Sequence, residues 1–272
     1  MAQQTDIHLY TTQTPNGTKI SILLEELGLK YQTTAIDITK NTQKEPWFLE
    51  INPNGRIPAV TDKLEDGQTI KLFESGSIMQ YLVDRYDKDH KVSYPHGSQE
   101  HWEVNNWVFT AAHLYAHSAE LANTIINQLF WQMGGLGPMQ GQLGYFNRYA
   151  PEKIQFSIDR YKNETRRLYR VMETQLQKSP SGYLVGDRCT VADISCWGWV
   201  ASAGGSGVDI TEFPALKEWR DKLLSRPGVE KGRHVPSPHK ALEFENMSEE
   251  EMKKAFEHNR KWIQASIKED SK

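Results

Sequence analysis

The stretch NGRIPAVTDKLEDGQTIKLFESGS, from Asn54 to Ser77, contains the features that decide the fold of this chain. Its two apolar segments, 56–62 and 69–75, flank Asp66-Gly67, a dipeptide typical of the tight turn in a β-hairpin. We therefore expect two short antiparallel strands here, followed by a helix that begins after Glu74-Ser75.

Upstream of this hairpin, strand and helix patterns alternate. Residues 7–11 alternate apolar and polar side chains, as a half-buried strand does. Within 14–27, apolar residues recur at the spacing of an amphipathic helix, and Gly28 is placed to end it. The β-branched residues of 31–38 predict a second strand, parallel to the first. The order β-α-β-β-β-α therefore predicts a complete domain over 1–88.

After this domain the character of the sequence changes, and no convincing strand follows. A polar linker interrupted by proline and glycine covers 89–98, and residues 99–127 have the pattern of a long helix. We expect an all-helical second domain over 99–232, and an extension with a charged helix over 233–272.

Several local signals subdivide the helical part. The glycine-rich stretch 134–141 is expected to break the helical pattern, which resumes over 150–176 with Pro151 in the first turn. Thr190 and Asp193 have the spacing of a capping box and predict another helix start.

Two further signals lie near the end of the chain. Pro227-Gly228 is expected to stop the last helix of the second domain. Ser248 and Glu251 repeat the capping-box spacing ahead of the charged helix of the extension.

Composition limits the classes of function. The 272 residues are 38% hydrophobic and 25% charged, with a formal net charge of -3, which argues against a nucleic-acid partner. No apolar run approaches the ~20 residues needed to cross a bilayer, and the first residues lack the pattern of a signal peptide. We expect a cytoplasmic protein without a membrane partner.

The two cysteines exclude some redox mechanisms. Cys189 and Cys196 would lie about 10 Å apart along a helix, too far for a disulfide. No cysteine precedes Cys189, so a Cys-x-x-Cys mechanism is excluded in the first domain. His113 and His117 have an i, i+4 spacing, but Leu114 stands where a metalloprotease has glutamate, so no metal site is predicted.

Pro58 is unusual inside an apparent strand, because proline cannot donate to the hydrogen-bond ladder. A cis Ile57–Pro58 bond would expose neighbouring backbone to an extended peptide ligand. An ordinary edge-strand proline is the alternative.

Two helix starts are candidate sites for charged ligand groups. The backbone N–H and hydroxyl of Ser75 suit a carboxylate, and Glu74 beside it suits an ammonium group. Thr14 and Asn16 stand at the mouth of the first helix, whose N–H groups favour an anion. Simple helix caps are the alternative at both places.

Taken together, these residues resemble a known family. The first domain resembles a thioredoxin fold, and with the helical domain, TVADI and FP…W the chain is similar to a cytosolic glutathione transferase over roughly 6–232. The motifs TPNG, NPNGRIPA, FESG and GGLGPM…GQ most resemble the nu-class, or disulfide-bond oxidoreductase, group. That group includes the transferase-like domain of the yeast prion-forming nitrogen regulator.

This resemblance implies a glutathione site. Glu74 and Ser75 would bind the γ-glutamyl end, and the backbone of Ile57, before Pro58, would pair with the cysteinyl part. Gln43, Lys44 and Arg56 would hold the glycine carboxylate. Thr14 and Asn16 would lie near the sulfur as catalytic residues, and Arg160 would reach the ligand of a neighbouring subunit.

The resemblance also implies an activity. We expect a homodimer without metal that uses glutathione as co-substrate for thiol–disulfide exchange on a small disulfide or electrophilic substrate, with transferase or peroxidase side activity. Phe130 and Trp131, near the glycine-rich stretch, are candidates for the wall of an apolar second-substrate pocket. A non-catalytic regulator and a ligand-sequestering protein on the same fold are the alternatives.

Overall fold

Four strands form one mixed sheet at the start of the chain, in the order β2-β1-β3-β4. Strand β1 (His8–Thr11) pairs parallel with β2 (Gln32–Ala35) and antiparallel with β3 (Ala59–Lys63), which in turn pairs antiparallel with β4 (Thr69–Phe73). The predicted hairpin and the predicted parallel crossover are both confirmed. The computed structural model describes residues 4–109 and 131–270.

Three helices accompany the sheet: α1 (Pro15–Leu27), α2 (Pro46–Leu49) and α3 (Ser75–Tyr86). Helix α1 begins and ends as predicted. The Thr14 side chain caps its N-terminus, and Gly28 follows with φ of 68°, a left-handed conformation that glycine adopts easily. The short helix α2 between β2 and β3 has no counterpart in the sequence prediction.

The remaining described elements are helices joined by turns and irregular segments. The helices are α4 (Gln99–Phe109), α5 (Gly137–Gly144), α6 (Gln155–Lys178), α7 (Val191–Val200), α8 (Ala203–Ser206), α9 (Pro214–Leu224), α10 (Pro227–Gly232) and α11 (Glu249–Asp270). The helix predicted over 99–127 is confirmed as far as residue 109, and its remainder lies outside the described residues. Among the helices of 4–109 and 131–270, none is both long and apolar enough to cross a membrane.

The break predicted at 134–141 is wrong, because this glycine-rich stretch is helical. Two π-helical segments, Trp131–Leu136 and Tyr145–Tyr149, flank α5. A Cβ atom on Gly137 would lie 3.0 Å from the indole of Trp199 and 2.9 Å from Gln132 Nε2. Glycine is therefore needed at position 137 because a side chain would come too close to Gln132 and to Trp199 of α7. It does not end a helix.

Two proline positions also differ from prediction. Pro151 precedes α6 instead of lying in its first turn, because the helix begins at Gln155. Pro227 does not merely stop α9, which already ends at Leu224; it opens α10 at the first helical position. That position tolerates proline because its missing N–H would have no partner there.

Both predicted capping boxes are confirmed. The Thr190 side chain accepts from Ala192 N, and the buried Asp193 carboxylate accepts from Thr190 N at 2.9 Å and from Trp219 Nε1 at 2.8 Å. Ser248 N donates to Glu251 Oε2 at 2.8 Å at the start of α11.

The extension packs on the helical domain. Phe256 of α11 contacts the rings of Tyr149 and Phe244, at centroid distances of 5.8 and 4.8 Å. Glu245 forms an ion pair with the buried Arg220 of α9. The last part of the chain is therefore anchored to α9 and to the segment that follows α5.

Replacing Gly17 by alanine is expected to destabilise the fold by roughly 1–3 kcal/mol through overpacking. The added Cβ would lie 2.3 Å from Thr11 Oγ1 and 2.4 Å from the carbonyl oxygen of Thr12, where α1 returns across the end of β1. Urea unfolding measures the effect. Gly141→Ala is the matched control, because its Cβ would meet only the Trp199 ring at 3.8 Å. Equal stability of the two variants would contradict this account of Gly17.

Candidate functional site

Three of the predicted ligand-binding features lie at one edge of the sheet, and the strand register shows why. Ala59 of β3 is paired with Tyr10 of β1 on one side and with Phe73 of β4 on the other. The chain leaves β1 shortly after Tyr10, enters β3 just before Ala59 and leaves β4 directly after Phe73. Loop 12–14, the segment 57–58 and the pair 74–75 therefore project from the same edge.

The Ile57–Pro58 peptide bond is cis, which confirms the first of the two interpretations of Pro58. It stands directly before the first residue of β3. Asn52 supports the preceding turn, because its side-chain Nδ2 donates to the carbonyl oxygen of Arg56 at 2.7 Å.

Glu74 and Ser75 form the start of α3. Glu74 has φ of 67°, an unfavourable region for a residue other than glycine, and its side chain makes no capping bond to the helix. Its exposed carboxylate is thus left available to a ligand. Ser75 is the first helical residue and is buried. Glu74 and Ser75 therefore place a carboxylate beside the N–H groups of the helix start, an arrangement that suits a ligand with an ammonium group and a carboxylate.

Thr14 and Asn16 surround the N-terminus of α1 and are half-buried. Thr14 Oγ1 accepts a hydrogen bond from Gly17 N at 3.1 Å, which leaves the hydroxyl proton able to donate. Within the described residues the Asn16 amide has no hydrogen-bond partner. Both side chains can therefore donate to an anion at the end of the helix.

The turn before β3 places Lys44 against the residues that precede Arg56. The Lys44 ammonium donates to the carbonyl oxygen of Asn54 at 3.2 Å, and a Cβ on Gly55 would lie 2.8 Å from Lys44 Nζ. The 3₁₀ turn Thr42–Lys44 is thus held against the residue that precedes Arg56. A cation at this position suits a carboxylate, and the role of Gln43, Lys44 and Arg56 in binding one stays a prediction.

The structure adds a buried lysine that sequence reasoning missed. Lys19 of α1 is 1% exposed, and its ammonium donates to Ser75 Oγ at 3.2 Å and to Gln132 Oε1 at 2.5 Å. Burial lowers the pKa of Lys19 to about 7. One signal was present in the sequence: a lysine in the second turn of a helix is opposed by the helix dipole, so its position needs an explanation.

Of the two residues predicted to border a second-substrate pocket, only Trp131 lies within the described residues. Trp131 is 8% exposed and packs edge-on against Trp107, with centroids 5.0 Å apart. Phe130 lies outside the described residues. Met133, two residues further on, contacts Ser75, with Sδ 3.4 Å from Ser75 Oγ. The role of Phe130 and Trp131 in a pocket stays a prediction.

Arg160 is separate from the other predicted site residues. It is exposed on α6, in a surface groove of about 570 Å³ that also contains Met139, Phe156 and Arg167. The lining of this groove includes none of the other predicted glutathione-site residues.

The extension reaches the loop before α1. Gln13 Nε2, next to Thr14, donates to the carbonyl oxygens of Arg233 and Ser237 at 2.7 and 2.6 Å. The start of the extension thereby holds the loop that carries Thr14.

Neither cysteine is exposed at this edge of the sheet. Both are free and buried, and burial raises the pKa of Cys189 and raises that of Cys196 to about 12. Within 4–109 and 131–270, no cluster of three or more histidine, cysteine or acidic side chains is arranged to hold a metal ion.

Comparison with protein families now identifies the architecture. The model of the glutathione S-transferase N-terminal domain matches residues 5–84, and that of the C-terminal domain matches 142–231. The chain belongs to the glutathione transferase family. The thioredoxin-like first domain and the helical second domain are those of this family.

Similar proteins point to a particular branch of the family. The disulfide-bond oxidoreductase YfcG of Escherichia coli is 39% identical over 225 residues, which cover 82% of this chain and 92% of that protein. A glutathione transferase homologue from Lodderomyces elongisporus, solved with two glutathione molecules per subunit, is 41% identical with a TM-score of 0.73, over 85% of this chain and 99% of that one.

A third relative carries the oxidised ligand. A glutathione transferase from Pseudomonas putida, solved with one glutathione disulfide per subunit, is 29% identical with a TM-score of 0.72, over 86% of this chain and 93% of that one. The relatives include proteins named as transferases and as oxidoreductases.

Proposed function

We propose that this glutathione transferase is a glutathione-dependent disulfide reductase, and that glutathione binds along the sheet edge formed by loop 12–14, Ile57–Pro58 and Glu74-Ser75. In this arrangement Glu74 and Ser75 bind the γ-glutamyl end, and the backbone of Ile57 pairs with the cysteinyl part. Gln43, Lys44 and Arg56 bind the glycine carboxylate. Thr14 and Asn16 stabilise the sulfur as a thiolate.

The single observation that carries the proposal is that no exposed protein thiol lies at this edge. Both cysteines of the chain lie at 189 and 196, and both are buried, so the attacking thiolates must come from glutathione. Thr14 and Asn16 can donate hydrogen bonds but cannot act as bases at neutral pH. They would lower the thiol pKa, and a thiolate is the nucleophile in disulfide exchange.

The reaction balances with glutathione alone. The bound glutathione thiolate attacks one sulfur of the substrate disulfide, forms a mixed disulfide and releases a thiolate of the substrate. A second glutathione thiolate attacks the glutathione sulfur of the mixed disulfide, giving glutathione disulfide and the second substrate thiolate. Relatives solved with two glutathiones or with glutathione disulfide support a site of this size.

The proposal extends to a cytoplasmic homodimer. In support, large apolar side chains are exposed on both domains, among them Trp47, Phe73 and Phe156, which is 77% exposed. Arg160 would reach the partner's ligand from its groove on α6. Sedimentation equilibrium of the full chain tests the dimer, and a monomer at micromolar concentration would contradict it.

We expect the protein to accelerate glutathione-dependent reduction of bis-hydroxyethyl disulfide, and to conjugate chlorodinitrobenzene more slowly. Oxidation of NADPH by added glutathione reductase reports the first reaction. Absence of turnover in both assays, with glutathione still bound, would reject the enzyme and support a regulatory or ligand-sequestering protein.

A further inference from the structure

Lys19 is a buried cation between the two domains, and the proposed function leaves it without a role. Its ammonium contacts Ser75 Oγ at 3.2 Å in the first domain. On the helical side it contacts Gln132 Oε1 at 2.5 Å and Met133 Sδ at 3.4 Å. All three donors of the group are therefore directed at uncharged acceptors.

A buried ammonium group without a counter-ion is unfavourable. Within the described residues Lys19 forms no ion pair, although the Glu74 carboxylate is close enough to favour its charged form. An anionic group on a ligand at Ser75 would supply the missing charge. The γ-glutamyl end of glutathione has such a group, an α-carboxylate.

The contact between Lys19 and Ser75 also fixes the direction of the Ser75 hydroxyl. An ammonium group has only donors, so Ser75 Oγ must accept in this bond and its own proton must point elsewhere. In the structure that proton is directed at Met133 Sδ, 3.4 Å away. A thioether is a weak acceptor, and a carboxylate is a much stronger one. A ligand carboxylate beside Ser75 would therefore replace Met133 as the acceptor of this proton.

We propose that Lys19 is a positioning residue for the γ-glutamyl carboxylate of glutathione, acting through Ser75. It holds the Ser75 hydroxyl as a donor and places a positive charge behind it. Glu74 takes the neighbouring ammonium group of the ligand, so each charge of the γ-glutamyl end meets an opposite one. This inference rests on the proposed function, because it assumes that glutathione binds at Glu74 and Ser75.

The variant Lys19→Met tests the proposal, since methionine keeps much of the stem length and removes every donor. Isothermal titration would use S-methylglutathione and an analogue that lacks only the α-carboxylate of the γ-glutamyl group. We expect Lys19→Met to raise the dissociation constant of S-methylglutathione about tenfold, as loss of a charge-assisted interaction does, and to change that of the analogue less than about twofold. Lys30→Met, an exposed site after α1, is the matched control and should change neither constant.

Two results would overturn the inference while the proposed function survives. One is an equal loss of affinity for both ligands, which a purely structural lysine would cause. The other is tight binding of S-methylglutathione by a folded Lys19→Met protein. Failure of the wild-type protein to bind S-methylglutathione would reject the proposed function, and this inference with it.

A measurement on the wild-type protein applies even if Lys19→Met does not fold. Burial lowers the pKa of Lys19, so its charge is lost as the pH rises through about 7. The groups that face it are Glu74, Ser75 and the Cys196 thiol, which stays protonated because burial raises its pKa to about 12. Affinity for S-methylglutathione should fall between about pH 6 and pH 8, and affinity for the analogue should stay level. Parallel profiles for the two ligands would overturn the proposal.

Discussion

Replacing Asn16 by aspartate should reduce glutathione-dependent disulfide reduction at neutral pH by roughly 30- to 100-fold. The substitution keeps the shape of the side chain but puts a carboxylate where an amide would donate to the glutathione sulfur. A like charge at that distance raises the pKa of the bound thiol, and the thiolate fraction falls tenfold for each unit. Asn16→Ala removes only the donor and should cost about three- to tenfold.

Stability separates this effect from damage to the fold. Asn16 is the second residue of α1, where a negative charge is favoured by the helix dipole. Asn16→Asp should therefore be at least as stable as the wild-type protein. It should nevertheless be less active than both the wild-type protein and Asn16→Ala. Its activity should recover as the pH is raised. Equal activity of the three proteins at pH 7 would mean that Asn16 does not contact the sulfur.

Replacing Glu74 by glutamine should weaken the binding of S-methylglutathione by roughly 10- to 30-fold. Glutamine has the same size but lacks the charge that would hold the ammonium group of the ligand. The Glu74 side chain makes no capping bond to α3, so unfolding stability should change little, through the lost attraction to Lys19 alone.

Glu65→Gln is the matched control for this experiment. Glu65 is exposed at the turn of the same hairpin, at the opposite end of β4 from Glu74. Isothermal titration should give wild-type affinity for this control. If Glu74→Gln binds S-methylglutathione as tightly as the control does, the γ-glutamyl end lies elsewhere.

The parts of the fold that could be predicted from sequence depend on local chemistry. Asp66-Gly67 predicted the hairpin, Thr14 and Gly28 marked the ends of α1, and Thr190 with Asp193 formed their capping box, because each acts within a few residues. The edge that gathers the candidate ligand groups follows from the register of the strands, which the hairpin and the crossover largely determine.

The errors and omissions involve contacts between distant parts of the chain. The glycine-rich stretch 134–141 was interpreted as a helix break, because the packing of Gly137 against Trp199 is invisible in the sequence. Lys19 was missed because its partners, Ser75 and Gln132, are separated from it by 56 and 113 residues. Arg160 is predicted to act on the ligand of a partner subunit, so one chain cannot bring it to that site.

The central claim is that this protein carries out thiol chemistry with the sulfur of glutathione, held as a thiolate by Thr14 and Asn16. The most direct test is an ultraviolet titration of the thiolate in the saturated complex of the wild-type protein with glutathione. The two protein cysteines will not interfere, because burial raises the pKa of both.

We expect the thiol of bound glutathione to titrate at least about one unit below the ordinary thiol value of ~8.5, and Asn16→Asp to move it back above that value. A bound thiol that titrates at or above the ordinary value in the wild-type complex would contradict the account.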